Sequence, residues 1–214
     1  MWVIPTITPE FIERMEHVLD LYAKPYNPKE PVLCFDEKSK ELRKDARPAM
    51  HGRILRRDYE YVRHGTANVF LAVEPKGGYR TTRATAHRKK PDFAREIRRI
   101  VNLARYRKVK RLHIVLDNLN THKAQSLTET FGKQEAEQIM RKVTFHHTPK
   151  HASWLNMAEI ELSILGRQAL NQRIPTPSAL RAHLKAWQAR RNKHMMKINW
   201  KFTKQDARRV FTYG

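Results

Sequence analysis

Two short apolar runs, residues 31–35 (Pro-Val-Leu-Cys-Phe) and 112–116 (Leu-His-Ile-Val-Leu), each stop at an aspartate, Asp36 and Asp117. Near-continuous apolar segments of this length, bounded by polar residues, read as buried strands. Strands buried on both faces belong to a sheet covered by helices, which sets aside an all-helical bundle. An acid directly after such a strand stands at the rim of the sheet, where open α/β sheets bind ligands. The same position also suits an ordinary turn residue or helix N-cap. Neither aspartate alone decides between the two.

The rest of the chain supplies the covering helices. Residues 8–23 predict a helix, with Thr8 as N-cap, Pro9 at its first position and Phe11, Met15, Val18, Leu19 and Tyr22 at helical spacing. Residues 39–53 are polar and basic, contain Pro48 and Gly52, and read as a loop. Residues 68–74 and 79–86 flank Pro75-Lys76-Gly77-Gly78 as a hairpin. A basic amphipathic helix is expected over 91–108, one or two helices over 123–142, and an alternating strand at 143–147. Helices follow at 155–170, 176–193 and 203–211. The order predicts an α/β fold, a mixed five-stranded sheet with helices on both faces, preceded by an N-terminal helix and linker at residues 1–30.

Charge indicates the partner. Forty-three Lys and Arg against 21 Asp and Glu give a net charge of +22. That imbalance attracts polyanions, nucleic acid first among them, although a ribosomal-type basic protein has the same composition. Arg98, Arg105, Arg107, Lys108, Lys110 and Arg111 form a basic stretch suited to DNA phosphates or to a merely solvated face. Trp154 suits stacking on a base, or a place in the core. The single Cys34 leaves neither an intramolecular disulfide nor a cysteine zinc site, and His146, His147 and His151 lack regularly spaced acids to complete one. No apolar run approaches the roughly 18 residues of a membrane helix, and the N-terminus lacks a signal-peptide pattern. The expectation is a cytoplasmic, nucleoid-associated protein with no membrane partner.

Acids gathered at a sheet rim on so basic a chain suit one chemistry. A third carboxylate from a helix packed on that rim completes an oxygen-ligand site for Mg2+ or Mn2+. Two such ions about 3.5–4 Å apart serve the attacking and leaving oxygens of a phosphodiester displacement. The helix at 155–170 offers Glu159 and Glu161. They project about 200° apart around its axis, so only one faces a shared site, and periodicity does not choose between them.

Three segments carry a resemblance. Val-Leu-Cys-Phe-Asp-Glu-Lys-Ser (32–39), Val-Leu-Asp-Asn-Leu-Asn-Thr-His (115–122) and Ser-Trp-Leu-Asn-Met-Ala-Glu-Ile-Glu (153–161) are similar to the acidic motifs of bacterial insertion-sequence D-D-E transposases related to the Tc/mariner superfamily. The resemblance implies a ribonuclease H-like catalytic domain over 31–214 and two divalent metal ions per site. It implies DNA cleavage followed by 3′-hydroxyl strand transfer in cut-and-paste transposition. By the motif match, Asp36, Asp117 and Glu159 are the catalytic, metal-binding acids, and Asn118, His122 and Asn156 support them; from the residues alone, Asn118 equally suits a turn and His122 a structural place at a helix start. Glu159 is selected over Glu161 by the family's Asn-x-x-Glu. The implied partners are double-stranded DNA, as element ends and target, and a second copy of the chain on DNA. The stretch from Asp117 to Glu159 is longer than usual, with the helix near 133–142 as the extra length. The helix-turn-helix region of full-length relatives is not among these residues, so a separate helix-turn-helix chain is a further expected partner. A ribonuclease H-like nuclease or resolvase, and an inactive DNA-binding remnant, are the rival readings.

Overall fold

The computed structural model describes residues 7–47 and 59–213. Its strands are β1 (Val32–Asp45), β2 (Tyr61–Glu74), β3 (Tyr79–Thr85), β4 (Leu112–Leu116) and β5 (Val143–His147). They form one sheet in the order β3-β2-β1-β4-β5. β1, β2 and β3 are antiparallel neighbours, while β4 runs parallel to β1 and β5 parallel to β4. The expected mixed five-stranded sheet is therefore present, with β1 and β4 side by side at its centre; β4 stops just before Asp117, whereas β1 runs on through Asp36, which pairs with Leu71 of β2.

Alternation along the strands divides the interior in two. Leu33, Phe35, Ile114 and Leu116 face one side, where α2 (Lys90–Val101), α3 (Ala124–Phe131) and α4 (Lys133–Lys142) bury Phe93, Ile97, Leu127 and Ile139 against them. Cys34 and Val115 face the other side. There they meet Val18 and Tyr22 of α1 (Pro9–Ala23), Met157 and Leu162 of α5 (Met157–Leu165), and Leu184 and Trp187 of α6 (Pro177–Lys193). A smaller cluster seats α7 (Lys204–Phe211) on α1 through Phe11, Met15 and Ala207. Thr8 caps α1, its hydroxyl accepting from the Phe11 amide, and Thr203 caps α7 in a reciprocal box with Asp206.

Three boundaries depart from expectation for local reasons. Residues 39–45, expected as loop, continue β1 and pair with Tyr61–Asn68 of β2. This outer ribbon is largely solvent-exposed, so it lacks the apolar face that announces a strand, and cross-strand pairing alone extends it. The rest of that expected loop, residues 48–53, lies outside the described residues. The helix expected to reach Lys108 ends at Val101 and is followed by a 3-10 turn, Ala104–Tyr106. The helix expected over 155–170 begins at Met157, after a 3-10 turn, and passes into a π-helical turn at Gly166–Leu170.

Candidate active site

Register brings the two aspartates together. Cys34 of β1 pairs with Val115 of β4, so two residues further on Asp36 and Asp117 lie at adjacent positions on the same face. That face is the one α5 covers. Asn156 caps α5, its Oδ1 accepting from the Ala158 amide at 3.1 Å, and its Nδ2 donates to the carbonyl oxygen of Phe35 at 2.8 Å. One buried side chain thus starts the helix and ties that start to the residue before Asp36. Glu159, in the helix's first turn, is exposed and lines a groove of about 570 Å³ together with Asp36 and Glu37.

Glu161 takes no part in this groove. It is fully buried on the other flank of α5, between two guanidinium groups. Arg80 of β3 donates to both of its oxygens at 2.7 and 3.2 Å, and Arg191 of α6 does so at 2.9 and 3.0 Å. Periodicity left the two acids open; in the structure Glu161 is an ion-pair partner in the core, and Glu159 lines a groove with Asp36.

The acids repel one another. Burial pushes the Asp36 carboxyl up to about 7, offset in part by the Glu37 amide it accepts from and reinforced by the negative charges of Glu37, Asp117 and Glu159. Among the described residues no three His, Cys, Asp or Glu side chains stand at ligand distance from a common point. Asp117 is engaged by His122, whose Nδ1 donates to its Oδ1 at 2.5 Å.

His122 is itself enclosed. Its ring packs against Phe93 at 4.8 Å and Phe35 at 5.7 Å between centroids, and its backbone carbonyl accepts from His147 Nε2 at 2.8 Å. On its far side Nε2 stands 3.0 Å from Glu37 Oε2 as an ion pair. The approach is off-line, so neither atom has a well-directed hydrogen bond. Burial lowers the affinity of this imidazole for a proton, but the two carboxylates outweigh it and raise its pKa to about 9. Asn118 is half-buried in the loop after Asp117.

The basic residues divide differently from the expected stretch. Arg105, Arg107, Lys108, Lys110 and Arg111 precede β4, at the strand end opposite Asp117 and on the order of 16 Å away along five residues of strand. Several are already engaged: Arg105 with buried Glu74 at 2.8 Å, Arg98 with Glu135 at 2.9 Å, Lys110 with Glu30 at 3.5 Å, and Arg111 with the Thr144 hydroxyl at 3.0 Å. Trp154 is half-buried and packs on Trp200, Phe202 and Phe211. The structure does not bring these residues to the acids. Among the described residues, the cations lining this groove are Lys38, Lys40 and Arg167. Lys40 is committed to the carbonyls of Leu170 and Gln172, which leaves Lys38 and Arg167 as its exposed cations. A second cavity, of about 370 Å³, lies at the opposite end of β1 and β4 between Tyr22, Tyr26, Val32 and His113, remote from the acids.

Glu37, Lys38 and Arg167 do not stand out in the sequence. Alternation offers a signal for Glu37: it falls on the face of Leu33 and Phe35, where a lone acid requires a partner. Arg167 offers none, since its place depends on the π-helical turn.

The family model described as DDE superfamily endonuclease matches residues 31–181. Among solved structures, the chain is similar to a Mos1 mariner paired end complex with Mn, at 15% identity over 92% of this chain and 60% of that one, with a TM-score of 0.58. It is likewise similar to the Mos1 strand transfer complex, at 18% identity over 92% of this chain and 59% of that one, with a TM-score of 0.55. The chain thus spans about three-fifths of the length of these neighbours. At such identities the likeness establishes the fold, which is the ribonuclease H-like arrangement of sheet and helices. None of the curated proteins matches.

Proposed function

Since the chain belongs to the DDE superfamily endonucleases, we propose that it acts as the metal-dependent catalytic domain of a transposase, cutting DNA and joining the freed 3′-hydroxyl end to a target. The observation that carries this reading is the register of β1 and β4, which sets Asp36 beside Asp117 on the face covered by the helix that carries Glu159.

The donor set fits a divalent cation. Three carboxylates are all-oxygen ligands of the kind hard ions prefer, and mutual repulsion at Asp36 is the charge imbalance a cation relieves. Asp36, Asp117 and Glu159 would hold the metal, Mg2+ or Mn2+, with two ions per site. Bound there, the metal supplies Lewis acidity toward phosphate oxygens and a more acidic water. The protein's own part is placement. β1 and β4 fix the aspartates, Asn156 fixes the start of α5, and Lys38 and Arg167 draw the phosphate backbone into the groove. In cleavage a water oxygen bonds to phosphorus, the P–O3′ bond breaks, and the proton ends on the 3′-oxygen. In strand transfer that 3′-hydroxyl oxygen bonds to a target phosphorus and the displaced target 3′-oxygen takes the proton.

The net charge of +22 supports double-stranded DNA as the partner. The Mos1 neighbours are paired-end and strand-transfer complexes. The working form in this reading is a homodimer on element ends and target DNA, in the cytoplasm at the nucleoid, with a helix-turn-helix segment or separate chain to find the ends.

Two assays test the proposal. Purified protein with Mn2+ nicks supercoiled plasmid, and Asp117→Ala abolishes nicking. A pre-cut duplex with a free 3′-hydroxyl is joined into plasmid. Nicking without joining points to a hydrolytic nuclease, and DNA binding without either reaction sinks the enzymatic reading.

A further inference from the structure

Glu37 touches the supports of both aspartates. Its amide donates to Asp36 Oδ1 at 2.7 Å, and its carboxylate, almost fully buried, faces His122 Nε2 at 3.0 Å. His122 in turn holds Asp117 Oδ1 at 2.5 Å. We infer that Glu37 is a positioning residue that, through His122, aims Asp117 toward the same point as Asp36, so that the site depends on four acids of which three bind metal.

The argument begins with cost. A carboxylate on the apolar Leu33–Phe35 face is expensive to desolvate and requires a partner. One partner, Arg88, is 3.9 Å away and mostly exposed, which makes it a weak one. The strong one is His122, equally buried. Packing against Phe93 and Phe35 fixes the plane of the ring but not which way round it sits, since a half-turn about Cβ–Cγ returns the same plane with Nδ1 and Cδ2 exchanged. The carboxylate at its Nε2 removes that freedom, because it keeps Nδ1 directed at Asp117. With Oδ1 committed to His122, Asp117 keeps its Oδ2 for a cation, and Asp36 keeps its own with Oδ1 committed to the Glu37 amide. Ligating carboxylates held by hydrogen-bonded partners in this way bind metal more tightly, and loss of such a partner typically costs about 10–100-fold in affinity.

This inference rests on the assignment of Asp36, Asp117 and Glu159 as metal ligands, and the test separates the two. Mn2+ binding is measured by calorimetry on the full chain without DNA, alongside its melting temperature in a chelator. Asp117→Asn serves as the control for the ligand assignment. Glu37→Gln, which keeps the backbone amide and the side-chain volume, is expected to weaken Mn2+ binding about 10–100-fold. His122→Asn, which retains a donor near the Nδ1 position, supplies a background in which Glu37→Gln has no further effect. Asp117→Asn abolishing Mn2+ binding, with Glu37→Gln leaving it within twofold of the parent, overturns the inference while the ligand assignment stands. Additive losses in the double variant overturn it as well, because they place Glu37 outside the path through His122. Failure of the parent chain to bind Mn2+, or of Asp117→Asn to weaken it, removes the ligand assignment and this inference with it.

Discussion

Asn156 and Phe35 are 121 residues apart in sequence and joined by one buried hydrogen bond, from Asn156 Nδ2 to the Phe35 carbonyl oxygen. The same asparagine caps α5 with its Oδ1. An Asn three residues before Glu159 therefore has a physical reason: it is a short side chain with a donor for β1 and an acceptor for the helix start. Asp supplies only the acceptor, and Ala supplies neither. Asn156→Asp is expected to keep the cap but to set an unpaired buried carboxylate against the Phe35 carbonyl oxygen, with a loss of about 3–5 kcal/mol. Asn156→Ala loses the tie and the cap without burying a charge, at about 2–4 kcal/mol. Urea unfolding reads both, and nicking in Mn2+ should fall further than stability alone accounts for if the tie also sets Glu159. Equal nicking by folded variant and parent argues against that role.

The two glutamates of α5 should separate cleanly. Glu159→Gln removes an exposed carboxylate from a cluster of like charges, so it should abolish nicking while melting at or slightly above the parent temperature. Glu161→Ala leaves Arg80 and Arg191 buried without their partner, and the expected loss is about 3–5 kcal/mol. Melting curves and plasmid nicking, run on both variants, check the pair. A Glu161 variant that stays stable yet inactive reverses the assignment.

Much of this was legible in the sequence, in graded fashion. Asp36 and Asp117 were marked by the apolar runs before them, because a strand buried on both faces has a composition of its own. Glu159 and Glu161 were indistinguishable by period, since what divides them is Arg80 and Arg191, remote in sequence and brought together only by β3 and α6. The outer half of β1 was missed because a solvated ribbon lacks an apolar stripe. The basic stretch 105–111 was visible as charge, but its position at the far ends of the strands, and the commitment of Arg105 to Glu74, belong to tertiary structure.

That division of charge leads to a binding prediction. Lys38 and Arg167 line the acids' groove. Replacing either cation by Ala should weaken DNA binding across sequences and reduce the slope of log affinity against log salt by roughly 0.9 for each phosphate no longer neutralised. Replacing Arg107 and Lys108 should reduce plasmid nicking less than either groove variant does. Salt titrations of a labelled duplex, paired with nicking rates, measure both effects. Equal losses at the two ends of the strands place DNA on both surfaces.

A last prediction concerns acid. His146 of β5 lies between two other imidazoles, 2.7 Å from His17 of α1 and 2.9 Å from His113 of β4. Burial lowers its pKa to about 3, and the nearby His113, His17, Lys24 and His147 push it the same way. The unfolded chain restores a value near 6.5. Between those two values the unfolded state binds the extra proton, so stability rises with pH across that window and falls as the solution is acidified below about 6.5. The cost approaches about 1.4 kcal/mol per pH unit, and each kcal/mol is worth roughly 2–4 °C of melting temperature in a chain of this size. Other groups titrate in the same range, Asp36 among them with a raised value and hence the opposite sign. The comparison is therefore made against His146→Gln, which retains hydrogen-bonding capacity but cannot take up the proton. Melting temperatures from pH 7.5 down to 5 should fall more steeply for the parent than for the variant. Parallel curves clear His146 of the acid sensitivity and leave the buried imidazole row as packing alone.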